Sequence, residues 1–450
     1  MKEIAIDGIK RRLIVKRKRI ALFLVLMLAS ITLLAGCTPA EPAAEEPAVE
    51  PEVIIEEKIV EVPVNNTLVL SSRLWSVPTE QEFVINEILK PFEEEHGVKI
   101  NFQVMDDTTM LQRAQVQQET DHVTTDVIIA YVANMPDWIN NGYVTDMTSL
   151  IGSWNDRHFA KTFEANTNMN GMQYFIPVGA DVYLTLANKK ALPYLPEGAN
   201  IDSLTWEQYA DWAVNIAEGE GEGKTVVTGV PMKSFVYQFG ATALSYGAGF
   251  PEINTPEAVE AWKILAKIGA ADGYIPTVLN IDNCIDPMKR EEAWLTVFHN
   301  ARAGEVYSSN ETKYVLAPAP AGPAGIGSIA GTSGFAIVKG APNPELAETF
   351  LEYITRPDIQ LKLSKGTGGF IPPVEEALEF LGNEPTDEVI SKALLVLDNG
   401  IVSGVPGGDF QDWGAVKQVF DNLFEDMVLK GNVDQAMLDA ASAEMDALRK

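Results

Sequence analysis

The chain has 450 residues, with 63 Asp and Glu against 34 Lys and Arg, and a formal net charge of −29. This acidity argues against a nucleic-acid partner, because phosphate binding requires clustered Lys and Arg. Hydrophobic residues make up 46% and charged residues 22% of the chain, as in globular proteins, which allows one large or two to three ordinary domains. Two cysteines, Cys37 and Cys284, cannot build a disulfide framework, and the four scattered histidines lack metal-ligand spacing, so no metal or cofactor is expected.

The first element is an export signal. Residues 1–19 carry eight Lys or Arg, and residues 20–35 follow without a charge. A basic segment before an apolar run shorter than the roughly 20 residues of a spanning helix is typical of a signal peptide. The sequence Leu-Ala-Gly-Cys that ends at Cys37 resembles the lipobox of bacterial lipoproteins. The resemblance implies removal of residues 1–36 and attachment of lipid to the Cys37 thiol; an uncleaved signal anchor with an unrelated cysteine is the alternative.

Residues 37–66 are predicted to form a tether. After Cys37 the chain is dominated by Pro, Ala, Glu and Val, without the apolar pattern of a packed element. Such a segment buries too little surface to fold, and its prolines and like charges keep it extended. The protein is therefore expected outside the cytoplasm, held at the cell membrane by its N-terminal lipid.

From Thr67 onward the pattern predicts strands that alternate with helices. Alternation of this kind indicates parallel strand pairing and an α/β fold. Ligands of such sheets bind beyond the carboxyl ends of the strands, so the loops 71–79 and 130–136 are the first candidates for a site. The predicted elements are strands at 68–70, 98–102 and 126–130 and helices at 82–92 and 110–119.

The second half shows further helix starts. Thr205 and Thr255 each precede a helical pattern, and Pro256 follows Thr255 at the first helical position, where proline is favoured. From Asn343 onward the chain is predicted to be largely helical, and it contains no internal repeat of solenoid period.

The order and spacing of several stretches between Thr67 and Lys450 resemble one known family, although no single stretch is specific. The family is that of the extracellular solute-binding proteins of ATP-binding-cassette (ABC) importers, in particular the sugar-binding branch that includes maltose-binding protein. The stretches are 68–70, 82–92, 97–100, 125–128, 138–148, 175–177, 186–189, 317–323, 334–338, 347–351 and 367–372.

This resemblance implies a two-lobe α/β fold with hinge crossings and a ligand cleft between the lobes. The N-terminal lobe would comprise residues 67–180 and 296–332, and the C-terminal lobe residues 181–295 and 333–450. The protein would act as a monomer that captures a mono- or oligosaccharide, closes around it and delivers it to the permease subunits of an ABC importer. It would not be an enzyme.

A sugar site needs aromatic rings for the apolar faces of the ligand and paired polar groups for its hydroxyls. The resemblance places Trp413 at a position where maltose-binding protein has a stacking tryptophan, and Asp181 at a position of a site carboxylate. Trp75, in the loop after the first strand, is a further candidate. For each of these residues the alternative is packing or pairing within its own lobe.

Five more residues complete the predicted site. Tyr131 and Asn134 follow the third strand, while Tyr237 and Gln238 lie where the second lobe supplies an aromatic platform. His299 falls on the return crossing, where maltose-binding protein has a tryptophan that this chain lacks. Structural roles in the core, in a helix cap or in the hinge are the alternatives.

Two other functions stay open at the level of sequence. Excess acidity keeps open a receptor for a cationic solute such as a polyamine. Abundant carboxylates leave open a surface glycoside hydrolase, whose chemistry needs only two of them. Phosphate-binding loops, dinucleotide fingerprints, His-Glu-x-x-His and Gly-x-Ser-x-Gly are absent from the sequence.

Overall fold

A computed structural model describes residues 66–160, 167–227, 230 and 234–450. The predicted signal peptide, Cys37 and all of the tether except Asn66 lie outside these residues. The strands are β1 (Thr67–Ser72), β2 (Lys99–Val104), β3 (Val127–Tyr131), β4 (Asn168–Met169), β5 (Met172–Gln173), β6 (Ile176–Asp181), β7 (Tyr183–Asn188), β8 (Leu295–His299), β9 (Tyr314–Pro318), β10 (Ala321–Gly322), β11 (Gly325–Ile329), β12 (Gly331–Ile337) and β13 (Ile401–Ser403).

Helices account for more of the described chain than strands do. Two π-helical segments, Val84–Leu89 and Phe424–Val428, continue neighbouring α-helices. The α-helices are α1 (Pro78–Phe83), α2 (Lys90–His96), α3 (Asp107–Glu119), α4 (Met135–Asn140), α5 (Thr148–Ser153), α6 (Trp206–Glu220), α7 (Phe235–Ser245), α8 (Pro256–Ala270), α9 (Ile285–Lys289), α10 (Asn300–Ser309), α11 (Pro344–Ile354), α12 (Pro357–Gly366), α13 (Pro385–Asn399), α14 (Trp413–Leu423) and α15 (Gln435–Ala447).

The first sheet has five strands in the order β2-β1-β3-β12-β6. Strand β1 runs parallel to both β2 and β3, whereas β12 runs antiparallel to β3 and β6. The predicted strands at 68–70, 98–102 and 126–130 are β1, β2 and β3. Because these three strands are parallel, their carboxyl ends lie at one edge of the sheet, which is where a ligand is expected.

The second part of the molecule contains one wholly antiparallel sheet and one smaller mixed sheet. A three-stranded sheet has the order β8-β7-β9, and all of its pairs are antiparallel. A smaller sheet has the order β10-β11-β13. The parallel pairing predicted from the alternation of elements therefore holds for β1, β2 and β3. It does not hold for the β8-β7-β9 sheet, where a long helical segment separates β7 from β8 in the chain.

Two almost continuous strand crossings connect the two parts. A single residue, Val182, separates β6 of the first sheet from β7 of the second, and Ala330 alone separates β11 from β12. The side chain of Asn300 holds the first crossing, since its Oδ1 accepts the Val182 amide at 2.7 Å and its Nδ2 donates to the carbonyl of Gly369 at 2.5 Å. We call the elements around the first sheet the N-lobe and those around the other sheets the C-lobe.

Strand pairing assigns the later segments differently from the sequence-based boundaries. Residues 296–332 were expected in the N-lobe, but β8 and β9 pair with β7 in the C-lobe. Residues 333–450 were expected in the C-lobe, yet β12 pairs with β3 and β6, and α11 packs on β12 in the N-lobe. A short apolar run has the same pattern in either sheet, so only the pairing partner decides its lobe.

Local signals for helix starts are confirmed. The Thr205 hydroxyl accepts the amide of Gln208 at 3.2 Å, and the side chain of Gln208 accepts the Thr205 amide in return, which completes a capping box. Thr255 caps α8 with Pro256 at its first position. The predicted helix at 82–92 lies inside a longer helical run from Pro78 to His96.

Aromatic residues form a dense core in the C-lobe. The rings of Phe239 and Trp262 stack with centroids 3.8 Å apart, and Phe420 packs against both. Trp206 and Trp212 of the C-lobe are also fully buried, as is Trp138 of the N-lobe. No helix among the described residues is both long and apolar enough to cross a membrane.

Candidate functional site

A cleft of about 1190 Å³ lies where the two lobes meet. From the N-lobe it is lined by the loop that follows β1, the start of α3, and the ends of β3 and β6. From the C-lobe it is lined by α7, the end of β8, the start of α10 and the start of α14. The carboxyl ends of the parallel strands thus form one wall of the cleft, as the topology of the first sheet dictates.

Arg73 organises the wall of the N-lobe. Its Nε lies 3.0 Å from Oδ2 of Asp107, its Nη1 donates to the hydroxyl of Ser333 at 3.3 Å, and its guanidinium lies 4.6 Å from the ring centre of Tyr131. Asp107 also accepts the backbone amide of Tyr131 at 3.0 Å. The cation is therefore fixed by contacts from the start of α3, the end of β3 and β12, which pre-organises this wall.

The Asp107 carboxylate largely neutralises the Arg73 charge inside the cleft. Burial raises the pKa of Asp107, while the nearby guanidinium and the Tyr131 amide oppose that shift. A paired, partly buried guanidinium has donors left for hydroxyl oxygens but little net charge with which to select an anion. This wall suits a neutral polar ligand better than an acidic one.

An aromatic group forms the opposite side. The indole Nε1 of Trp413 donates to the hydroxyl of Tyr237 at 3.1 Å, and Phe250 and Phe410 pack around the indole at centroid distances of 6.2 and 5.5 Å. The Tyr237 hydroxyl also interacts with Tyr131 of the N-lobe. Burial raises the pKa of both phenols, so both remain neutral hydrogen-bonding groups at ordinary pH.

The N-terminal cap of helix α14 explains where the Trp413 side chain lies. Asp412 is the N-cap of α14, and its side chain accepts the amide of Ala415 at 3.0 Å. The cap fixes the start of the helix, so Trp413 at the first helical position projects from the helix end toward the cleft. Its side chain is only partly buried, unlike the core tryptophans.

The crossing between the lobes places Asp181 beside His299 in the same cleft. Oδ1 of Asp181 accepts the amide of Ala301 at 3.3 Å. Nδ1 of His299 lies 3.5 Å from that oxygen but does not have hydrogen-bond geometry toward any described group. Both residues line the cleft at the hinge, where a ligand would contact the two lobes together.

Seven of the eight predicted ligand residues line the cleft. Trp75 is one of them, although its side chain is only 4% exposed and packs against Phe102 and Phe335 of its own lobe. Much of the Trp75 ring therefore has the packing role that was the alternative. The seven are Trp75, Tyr131, Asn134, Asp181, Tyr237, His299 and Trp413.

Gln238 is the exception and requires a correction. It is 2% exposed, lies inside α7 and does not line the cleft. Consecutive residues of a helix point about 100° apart, so Tyr237 and Gln238 cannot face the same surface. The prediction assigned both residues to one aromatic platform and did not take the helix into account.

Several cleft residues were not singled out by sequence analysis, among them Asp107, Tyr183 and Arg302. The rule that located the loops after β1 and β3 also applies to β2, because all three strands are parallel. Applied to β2, it points to the acidic pair that starts α3 and so to Asp107. Tyr183 follows the crossing at Val182 and Arg302 lies in the first turn of α10, and no local pattern marks either residue.

The chain matches a family of known proteins. The family model described as bacterial extracellular solute-binding protein matches residues 87–394. No curated protein sequence gives a significant match.

Solved structures with the same fold bind chemically different ligands. The maltose-bound MalE3 of T. maritima is 18% identical, with a TM-score of 0.69 over 85% of this chain and 99% of that one. An ABC transporter solute-binding protein of Thermotoga lettingae, bound with alpha-D-tagatose, is 15% identical, with a TM-score of 0.68 over 85% and 98%. UgpB from Mycobacterium tuberculosis, in complex with glycerophosphocholine, is 15% identical, with a TM-score of 0.67 over 85% of this chain and 98% of that one. The shared two-lobe fold is therefore common to several ligand classes.

Proposed function

This chain belongs to the bacterial extracellular solute-binding proteins, and on that premise we propose that it captures a mono- or oligosaccharide in its cleft and delivers it to an ABC importer. The observation that carries the proposal is the partly exposed Trp413, held by Tyr237 on one side of a cleft whose other side presents Arg73 and Asp107. An apolar ring facing fixed polar groups matches the two surfaces of a sugar.

Each part of a sugar has a partner in this arrangement. The apolar C–H face would stack on Trp413, with Tyr237 and Tyr131 at the edge of the ring. The hydroxyl groups would accept from Arg73 and donate to Asp181, because a guanidinium only donates and a carboxylate only accepts. The neutralised Arg73–Asp107 pair favours an uncharged ligand over an acid.

Binding would be coupled to motion of the lobes. A ligand that contacts both lobes stabilises the closed arrangement and shifts the population toward it. The permease subunits of the importer would then recognise the closed form. We propose that the ligand leaves unchanged, so the protein is a receptor and not an enzyme.

The proposed location follows from the N-terminal sequence. Residues 1–36 would be removed, Cys37 would carry the lipid, and residues 38–66 would hold the folded part away from the membrane. We propose that the protein works there as a monomer.

A ligand titration tests the proposal. Purified protein is titrated with maltose, mannotriose, tagatose and glycerophosphocholine, and with spermidine as a cationic control, while tryptophan fluorescence is followed. We expect saturable changes with at least one sugar, and chromatography of the same mixtures should return the sugar intact. A response to spermidine alone, or cleaved products, would contradict the proposal.

A further inference from the structure

An ion pair beside the cleft joins the two lobes. Nη1 of Arg302 contacts Oε1 of Glu80. Glu80 belongs to α1, which follows the cleft loop of the N-lobe, whereas Arg302 belongs to α10, which packs on β7 of the C-lobe. Arg302 itself lines the cleft.

Both charges are largely shielded from water. The side chain of Glu80 is 11% exposed and that of Arg302 is 22% exposed. Arg302 also lies 3.5 Å from Glu305 on the same helix, and that contact stays within one lobe. Asp181, at the end of β6, adds a further electrostatic attraction. Partial burial strengthens attraction between opposite charges relative to an exposed surface pair.

Separation of the lobes would break this ion pair and hydrate both charges, while the contact with Glu305 would persist. We propose that Glu80 and Arg302 form an inter-lobe clasp, positioning residues that stabilise the closed arrangement before any ligand binds. The consequence for affinity rests on the proposed function, since the apparent dissociation constant rises as the fraction of binding-competent molecules falls. The clasp therefore tunes the apparent affinity for the ligand through the population of the closed arrangement.

The direct test measures lobe separation without ligand. Spin labels are placed at Val116→Cys on α3 and Met437→Cys on α15, which are 59% and 41% exposed and lie on different lobes. The full chain also carries Cys37→Ser, while Cys284 is buried. Electron–electron double resonance then gives the distribution of distances between the two labels.

The variants separate the clasp from other contacts of Arg302. Glu80→Gln should broaden the distribution or shift it to a different distance, whereas Glu305→Gln, the matched control on the same helix, should leave it unchanged. The exchange of both charges, Glu80→Arg with Arg302→Glu, should restore the parent distribution. An unchanged distribution for Glu80→Gln would overturn the proposal.

Salt gives a second test that requires no variant. Raising the salt from about 0.05 M to about 1 M shortens the screening length from about 14 Å to about 3 Å, and should shift the parent distribution in the same direction as Glu80→Gln. If Glu80→Gln does not fold, this measurement decides, and no shift with salt would count against the clasp.

Calorimetric titration with the sugar that binds the parent protein connects the clasp to function. We expect about 3- to 10-fold weaker binding for Glu80→Gln and recovery in the charge-exchanged variant. If no sugar binds the parent protein or any variant, the proposed function is contradicted. The spin-label distances still test the Glu80–Arg302 clasp independently.

Discussion

The two faces of helix α7 use aromatic residues in opposite ways. Phe239 lies on the inner face, fully buried and stacked on Trp262. Tyr237, two residues earlier, lies on the cleft face, where its hydroxyl accepts the indole N–H of Trp413. Aromatic content therefore does not mark a site by itself. The distinguishing feature of Tyr237 is its hydroxyl, which forms a hydrogen bond to Trp413 at the surface of the cleft.

The largest expected effect tests the inner face. Phe239→Ala should lower the free energy of unfolding by about 3–5 kcal/mol, because it leaves a cavity beside Trp262 and Phe420. Denaturant unfolding followed by circular dichroism measures this. Phe380→Ala is the control, since that side chain is 59% exposed and its loss should cost no more than about 0.5 kcal/mol. Equal losses would remove the distinction between the buried face and the surface.

The next effect tests the cleft face through its tryptophan. Trp413→Ala should weaken sugar binding by about 10- to 100-fold, because it removes the stacking surface. It should destabilise the fold less than Phe239→Ala does. Trp413→Phe, which keeps an aromatic face but loses the bond to Tyr237, should fall between the parent and Trp413→Ala in calorimetric titration. Unaltered affinity in Trp413→Ala would show that the indole only packs.

A smaller effect isolates the hydroxyl of Tyr237. Tyr237→Phe removes one hydrogen-bond acceptor for Trp413, worth about 0.5–1.5 kcal/mol, and should weaken binding by about 3- to 10-fold. Tyr246→Phe is the matched control, because its hydroxyl bonds to Glu207 on the surface, away from the cleft lining. The same loss of affinity in both variants would mean that the position of the hydroxyl is irrelevant.

The smallest effect concerns an ion pair on the surface, His158 with Glu376, outside the cleft. His158 Nδ1 lies 2.5 Å from Glu376 Oε1, and this contact raises the pKa of His158. A raised pKa in the folded state means that the contact stabilises below the ordinary histidine pKa and that this contribution disappears as pH rises through the folded value. NMR titration of the ring should give a pKa above 6.5, and Glu376→Gln should lower it. A value at or below 6.5 in the parent protein would contradict the prediction.

Local sequence signals predicted the local structure well. The first three strands, the caps at Thr205 and Thr255 and the helical C-terminal third all depend on residues that are close together in the chain. The lobe membership of β8, β9 and β12 depends on which distant strand each one pairs with. That information is not contained in an apolar run, so the resemblance supplied the two-lobe fold but not the correct boundaries.

The cleft shows the same limit at the scale of side chains. The position of Tyr131 follows from the end of a parallel strand, and Asp107 would have followed from the same rule applied to β2. Gln238 was misplaced because helix α7 was not predicted. In that helix the side chains of Tyr237 and Gln238 point in directions about 100° apart. Arg302 could not be found, because its partner Glu80 lies 222 positions away in the chain.

The one-residue links at Val182 and Ala330 have a further mechanical consequence. Chain this short permits twisting about its own axis but offers no slack for sliding. Asn300 pins one link from the side, and the amide of Ala330 is tied to the carbonyl of Ser403 at 2.8 Å at the other. These two links would therefore confine any relative motion of the lobes to rotation about the crossings.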